Sequence, residues 1–204
     1  MKKKSRKKKL VSRKFNSTVL LFTNGKTEEI YFKAFQRSES KSGLVVKPIF
    51  TNGEMISFVN GVKSKLRDPE IRKYYSSADK IFFVFDYDAH SNEEVTKTFA
   101  ELRRVVGDKA RIYFSNFSFE LWLLSHSKKV TGFTTQNELQ TALEEIYNIE
   151  RGKWNSHKTD EKLISKIVVN WKQAIEHCTH FEEDLYSNWS TNPWTNVNQL
   201  FSEL

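Results

Sequence analysis

From residue 18 onward, short apolar runs alternate with amphipathic stretches. Thr18-Val19-Leu20-Leu21-Phe22-Thr23 is almost continuously apolar and rich in strand formers, the pattern of a strand covered on both faces. Asn24-Gly25 signals a turn. Residues 26–36 then place Ile30, Tyr31, Ala34 and Phe35 on one face of a helix. Residues 45–50 predict a second strand, Asn52-Gly53 a turn, and Met55, Phe58, Val59 and Val62 a second helix. The strongest strand, 80–85, runs into Asp86-Tyr87-Asp88-Ala89-His90. Ser91-Asn92-Glu93-Glu94 caps a helix that reaches 105 or 106, where Gly107 stops it. Residues 111–114 predict a fourth strand.

Strand, helix, strand, helix at this spacing predicts an α/β protein whose sheet is mainly parallel, with helices on both faces. After about residue 118 the pattern turns helical. Residues 119–124 form a dense apolar helix interrupted by one acid, and 138–147, 158–176 and 197–204 are further helices, with Asn192-Pro193-Trp194-Thr195 reading as a helix start. No strand is predicted in this half. The expected organisation is a basic arm over 1–16, an α/β domain over 17–118 and a helical extension over 119–204 packed on the sheet. Trp154, Trp171, Trp189 and Trp194 are expected mostly in the core of that extension.

Charge refines the picture. The 204 residues carry a formal net charge of +8, yet residues 1–14 hold nine basic side chains, Lys7, Lys8 and Lys9 among them, and no acid. The rest is close to neutral, with 24 basic and 25 acidic residues. A run of like charges repels itself and stays solvated; it reads either as a phosphate-seeking arm or as a solubilising tail. A single cysteine, Cys178, excludes a disulfide scaffold and a Cys-based zinc site. No apolar run approaches the ~18 residues of a membrane span and no secretory signal is visible, so a cytoplasmic protein with no membrane partner is expected.

In an open parallel sheet, ligands bind beyond the carboxyl ends of the strands. Three turns meet that rule. The first strand ends at Asn24, with Glu28 and Glu29 beyond it; the third ends at Asp86 and Asp88; the fourth ends at Ser115-Asn116, with Glu120 following. Asp86 and Asp88 project the same way if extended, and two adjacent carboxylates repel unless a cation lies between them. Hard oxygen ligands of this kind suit Mg²⁺ or Mn²⁺; the plainer reading is an acidic turn capping the next helix. Glu120, amid Phe117, Phe119, Leu121 and Trp122, is costly to bury alone, so it faces the site, snorkels or pairs with a base. His90 fits a general acid or base, a phosphate contact or a surface residue. Lys26, at the first helix start, fits a phosphate contact or an ordinary surface lysine.

Two apparent motifs fail. Gly25-Lys26-Thr27 resembles the end of a Walker A loop, but the glycine required five positions earlier is Leu20, inside the strand. His177 and His180 lie one helical turn apart without an evident third zinc ligand.

Four blocks, "LLFTNGKTEEIYFKAF", "FFVFDYDAH", "SNFSFELWLLSH" and "NPWTNVNQL", resemble in order those of RloB-like (AbiLii-like) proteins over most of residues 18–204. That family resembles a branch of the Toprim fold, shared with topoisomerases, primases and OLD-family nucleases, and occurs in bacterial restriction-modification and abortive-infection loci. The resemblance implies a metal-dependent nuclease in phage defence, working beside an ATPase partner, with RNA (tRNA in some relatives) favoured over DNA. A homo-oligomer is a further expectation. It also implies that Asp86 and Asp88 match the metal-binding Asp-x-Asp, that Glu120 matches the acid of a Phe-Glu-x-Trp block, and that Glu28 matches an acid four residues past the first-strand glutamate. At that glutamate's own position stands Asn24. An asparagine offers a carbonyl to a cation but cannot usefully exchange a proton. Glu28 or Glu29 substitutes, or the chain is a catalytically degenerate nucleic-acid- and partner-binding subunit, or Asn24 is a disabling change. A phosphatase or sugar-transferase Asp-x-Asp fits less well, since the haloacid-dehalogenase arrangement places that motif on the first strand.

Overall fold

The computed structural model describes residues 18–50, 55–87, 90–133, 135–179, 181 and 193–204. Asp88, His180, Trp189 and the basic arm with Lys7, Lys8 and Lys9 lie outside these residues.

Five strands form one sheet: β1 (Thr18–Thr23), β2 (Leu44–Pro48), β3 (Ala78–Asp86), β4 (Ala110–Asn116) and β5 (Trp194–Thr195). Their order is β2-β1-β3-β4-β5, parallel throughout except for the short antiparallel β5. The two strands that read as continuously apolar, β1 and β3, are both inner strands, as is β4. Leu20, Leu21, Ile81, Phe82, Phe83 and Val84 are fully buried, as strands covered on both faces require.

The crossovers set the layers. Between β1 and β2 lies α1 (Lys26–Ser38); between β2 and β3 lie α2 (Met55–Arg67) and α3 (Pro69–Ser77); between β3 and β4 lies α4 (Asn92–Val106). The first crossover runs toward β2 and the other two run the opposite way along the sheet, so right-handed connections put α1 on one face and α2 to α4 on the other. Packing follows suit, with α2 against both α3 and α4. At α4 both ends carry the expected signals: Ser91 and Glu94 close a capping box, and Gly107 takes the left-handed φ of 67° that stops the helix.

The second half covers the α1 face. It comprises α5 (Glu120–Ser125), α6 (Gln136–Tyr147), α7 (Trp154–His157), α8 (Glu161–Val168), α9 (Trp171–Cys178) and α10 (Val197–Ser202). Helix α8 packs on α1, α5 on α6 and α9, and α10 on α9 and β4. Aromatic rings weld this layer together: Phe201 of α10 stacks on Trp122 of α5 at 5.1 Å and on Trp171 of α9 at 5.6 Å, and meets Phe35 of α1 edge-on at 4.9 Å. Trp154 and Trp194 are buried and Trp171 partly so.

Two expectations about this half are corrected. Trp194-Thr195 does not open a helix; it forms β5, pairing with Ser115 and Asn116, and α10 begins at Val197. The strand went unseen because it has only two residues and is held by side chains: Asn196 Oδ1 accepts from Phe114 N–H at 2.8 Å, and its Nδ2 donates to Ile112 O at 3.1 Å. The helix expected over 158–176 is broken into α8 and α9. Asp160 caps α8 by accepting from the N–H groups of Lys162 and Leu163, and Val169 and Asn170 form the turn before α9.

Candidate functional site

The sheet order decides which acids can meet. Because β3 lies between β1 and β4, Asp86 at its carboxyl end sits between the turn after β1 and the turn after β4. On one side Thr23 pairs with Val84 and Asn24 N–H donates to Val84 O. On the other, Asp86 pairs with Ser115 and Tyr87 N–H donates to Ser115 O at 2.9 Å. Asn24, Asp86 and Asn116 therefore form one rim.

From the β1 side, α1 brings in Glu28. Its carboxylate folds back over the turn: a Cβ on Gly25 would lie 2.1 Å from Glu28 Oε2. Gly25 has an ordinary extended backbone, so the glycine serves space rather than a special torsion angle. From the β4 side, Glu120 opens α5. Both carboxylates are 3 % exposed. They are close enough to interact: burial pushes Glu28 up to about 7, its own backbone N–H opposes this, the Glu120 charge adds to it, and Lys158 opposes it. Glu120 Oε1 accepts from the Trp154 indole N–H at 3.1 Å and from Lys158 Nζ at 3.3 Å. Of the readings open for Glu120 in the sequence, pairing with a base is therefore observed, at a place that also adjoins Glu28.

The remaining residues fall around this pair. Glu29 is tied to Lys26 at 2.8 Å and to Lys33. Burial works against its charge, but the two lysines outweigh it and hold its carboxyl below the ordinary value. Glu29 is thus committed to a local clamp, leaving Glu28 as the acid that faces Glu120. Lys26, beyond its bond to Glu29, lies over the Phe50 ring, with Nζ 6.0 Å from the centroid. His90 is partly buried just past the rim, its Nδ1 3.9 Å from Glu94 Oε2. Two other histidines have structural contacts: His177 Nδ1–H donates to Ser125 O, and His126 is enclosed beside Tyr31 and Trp122.

Among the described residues, no three His, Cys, Asp or Glu side chains gather into a metal-holding group. The donor chemistry still suits a hard cation. Asp86 offers carboxylate oxygen at the rim, and Mg²⁺ commonly takes only one or two carboxylates alongside water and phosphate oxygens. The Glu28–Glu120 pair already has a cation of its own in Lys158.

Sequence reasoning missed Lys158 and Trp154. Neither carries a motif, and 38 and 34 residues separate them from Glu120. The one available hint was the cost of burying Glu120, which demands a partner without naming it. A cavity of about 550 Å³ lies elsewhere, beside β4, lined by Phe99, Arg103, Tyr113 and Trp194.

A family model for RloB-like proteins matches residues 19–204. The chain belongs to the RloB-like family. Comparison with curated proteins and with solved structures gave no match. The match spans both the sheet and the helical layer, so Glu28, Asp86, Glu120 and Lys158 all fall within the family's own region. Among the described residues, no helix is long and apolar enough to cross a membrane.

Proposed function

We propose that this RloB-like protein is a metal-dependent nuclease effector of a bacterial defence system, acting on RNA, tRNA in particular, in preference to DNA and beside an ATPase partner. The observation that carries the reading is the buried Glu28–Glu120 pair at the carboxyl ends of the parallel strands, next to Asp86. Globular proteins do not bury two interacting carboxylates at a rim without a use or a strong compensating contact.

Asp86, with Asp88, would hold Mg²⁺ or Mn²⁺. Such an ion supplies charge neutralisation at a scissile phosphate and lowers the pKa of bound water. The chain's own groups do the rest. Glu28 keeps a proton close to neutrality, a property the asparagine at position 24 lacks. Lys158 fixes Glu120 and limits the negative charge at the rim. Lys26 stands at the start of α1, where a phosphate meets both a cation and the positive end of the helix. The basic arm with Lys7, Lys8 and Lys9 would add affinity that does not depend on sequence.

The test is cleavage of labelled tRNA, single-stranded RNA and DNA in Mg²⁺ or Mn²⁺, with Asp86→Ala and Asn24→Glu alongside. Divalent-dependent RNA cleavage that Asp86→Ala abolishes supports the reading; equal cutting by both proteins sinks it. Asn24 favours one competing reading, a degenerate binding subunit. That reading prevails if neither the natural chain nor Asn24→Glu cuts any substrate while RNA binding persists.

A further inference from the structure

We propose that Phe50 is a stacking platform for an unpaired nucleobase, placed so that the adjoining phosphate reaches Lys26. The inference rests on the nucleic-acid reading above and adds to it a strand form, single-stranded or looped, and a residue that reads it.

Phe50 lies two residues past the end of β2, at the same carboxyl edge of the sheet as Asn24. Its ring is 60 % exposed, although Phe is a residue that folding ordinarily buries. The chain on its N-terminal side is fixed. Ile49 N–H donates to Thr23 O at 2.8 Å, and the Ile49 side chain seats against Gly61, where a Cβ would lie 2.2 Å from its Cγ2. Ile49 thus faces α2, whereas Phe50 meets the start of α1. There Lys26 Nζ lies 6.0 Å from the ring centroid and is held at 2.8 Å by Glu29, itself anchored by Lys33.

An exposed aromatic face beside a positioned ammonium is the element from which single-strand sites are built. The ring takes a base by stacking, which every base permits, and the cation takes the backbone. Charge favours this occupant over an apolar protein surface. Lys26 is more than half exposed, and one residue away Gly25 underlies the Glu28 carboxylate, at the rim where a phosphate would be handled. A second aromatic–lysine pair, Tyr74 with Lys47 at 5.6 Å, serves as an internal control. Tyr74 belongs to α3, on the opposite side of the sheet from α1.

The experiment is fluorescence-anisotropy binding in EDTA, so that cleavage plays no part. The probes are a labelled single-stranded RNA, the same sequence as DNA, an abasic strand of equal length and a blunt duplex. Phe50→Ala should weaken binding of the base-containing single strands by roughly tenfold, the scale of one lost base stack. Phe50→Trp should restore it, and Tyr74→Ala should leave it unchanged. The abasic strand and the duplex should not respond to Phe50→Ala, and the melting temperature should hold because the ring is mostly exposed. RNA against DNA then reports whether the sugar is read as well. Equal losses on all four probes, no loss on any, or failure of Phe50→Trp to recover overturns the proposal; no loss on any is also the outcome if Phe50 instead covers a protein partner. Binding that depends on Phe50 in a chain that never cuts RNA would leave this inference standing and defeat the nuclease reading. Cleavage that depends on Asp86 with no role for Phe50 would do the reverse.

Discussion

Replacing Glu28 by glutamine should make the protein more stable, increasingly so as the pH rises from 4.5 to about 7 and by a constant amount above that. In the fold, burial and the neighbouring Glu120 raise the Glu28 carboxyl from an ordinary 4.5 to about 7. Between those two pH values the folded chain keeps a proton that the unfolded chain has released. Stability from this group is therefore fully present below pH 4.5, declines as the pH rises, and is gone above about 7. Each tenfold change in proton affinity is worth 1.36 kcal/mol, so the whole loss comes to about 3 kcal/mol. Glutamine has nearly the same shape, keeps an acceptor for the backbone N–H and never ionises. The assay is urea denaturation from pH 4 to pH 9 in EDTA, comparing the two proteins at each pH. The difference matters because His126 runs the other way. Burial pushes its imidazole down to about 4, so its contribution is lost as the pH falls from 6.5 toward 4. In the natural chain the two effects largely offset each other; in Glu28→Gln the His126 slope should stand alone. Curves for the two proteins that stay parallel from pH 4.5 to 8 would show that Glu28 ionises in the fold as freely as in water, and the account of the buried pair would be wrong.

Gly25→Ala should displace the Glu28 carboxylate, because the added Cβ would lie 2.1 Å from it, while the extended backbone tolerates alanine; RNA cleavage should fall at least tenfold with little change in melting temperature. Tyr31→Phe should cost roughly 1–3 kcal/mol in denaturation experiments, since it strips the donor from a buried acceptor. His126 Nδ1–H donates to Trp122 O at 2.9 Å, which leaves Nε2 to accept from Tyr31 O–H at 2.9 Å. Gly61→Ala should destabilise by about 1–3 kcal/mol through overpacking against Ile49, even though alanine is the better helix former. An unchanged midpoint there would show that Ile49 yields freely.

What the sequence disclosed, it disclosed through periodicity. The runs at 18–23 and 80–85 announce inner strands because both faces are covered, and both are inner strands in the sheet. Ser91, Glu94 and Gly107 mark the ends of α4 because capping is local chemistry written within a few residues. Helix α3, opened by Asp68 and Pro69, is harder to read because its one turn-spaced apolar face, Ile71, Tyr74 and Tyr75, is short and only Ile71 is buried. Strand β5 escaped for the opposite reason: its pairing is set by Asn196 and Thr195 reaching β4, a contact 80 residues away that no window contains. At the site, the rule about strand ends selected Asn24, Glu28, Glu29, Asp86, Asp88 and Glu120, of which Asp88 lies outside the described residues. It could not separate Glu28 from Glu29. Adjacent residues on a helix point about 100° apart, and only packing shows that one faces Glu120 while the other is held by Lys26 and Lys33.

The helical layer thereby contributes side chains to the candidate site. Glu120 is buried at the start of α5, and the two groups that make its burial tolerable, the Trp154 indole and the Lys158 ammonium, come from α7 and the turn after it. Those elements are positioned in turn by Glu144, whose carboxylate accepts from the N–H groups of Gly152 and Trp154 at 2.9 and 2.7 Å. The chain of contacts runs from α6 through the 152–158 segment to Glu120 and on to Glu28. Asn24 belongs to the same balance. A glutamate there would add a further negative charge one residue from the glycine that Glu28 covers, beyond the charge that Lys158 already faces. With asparagine in place, Lys158 faces only the charge of Glu120 and of the ionised fraction of Glu28. Asn24→Glu should for that reason raise the protein's demand for a divalent cation, seen as a larger gain in melting temperature on adding Mn²⁺ than the natural chain shows; equal gains would mean that position 24 takes no part in the electrostatics of the rim.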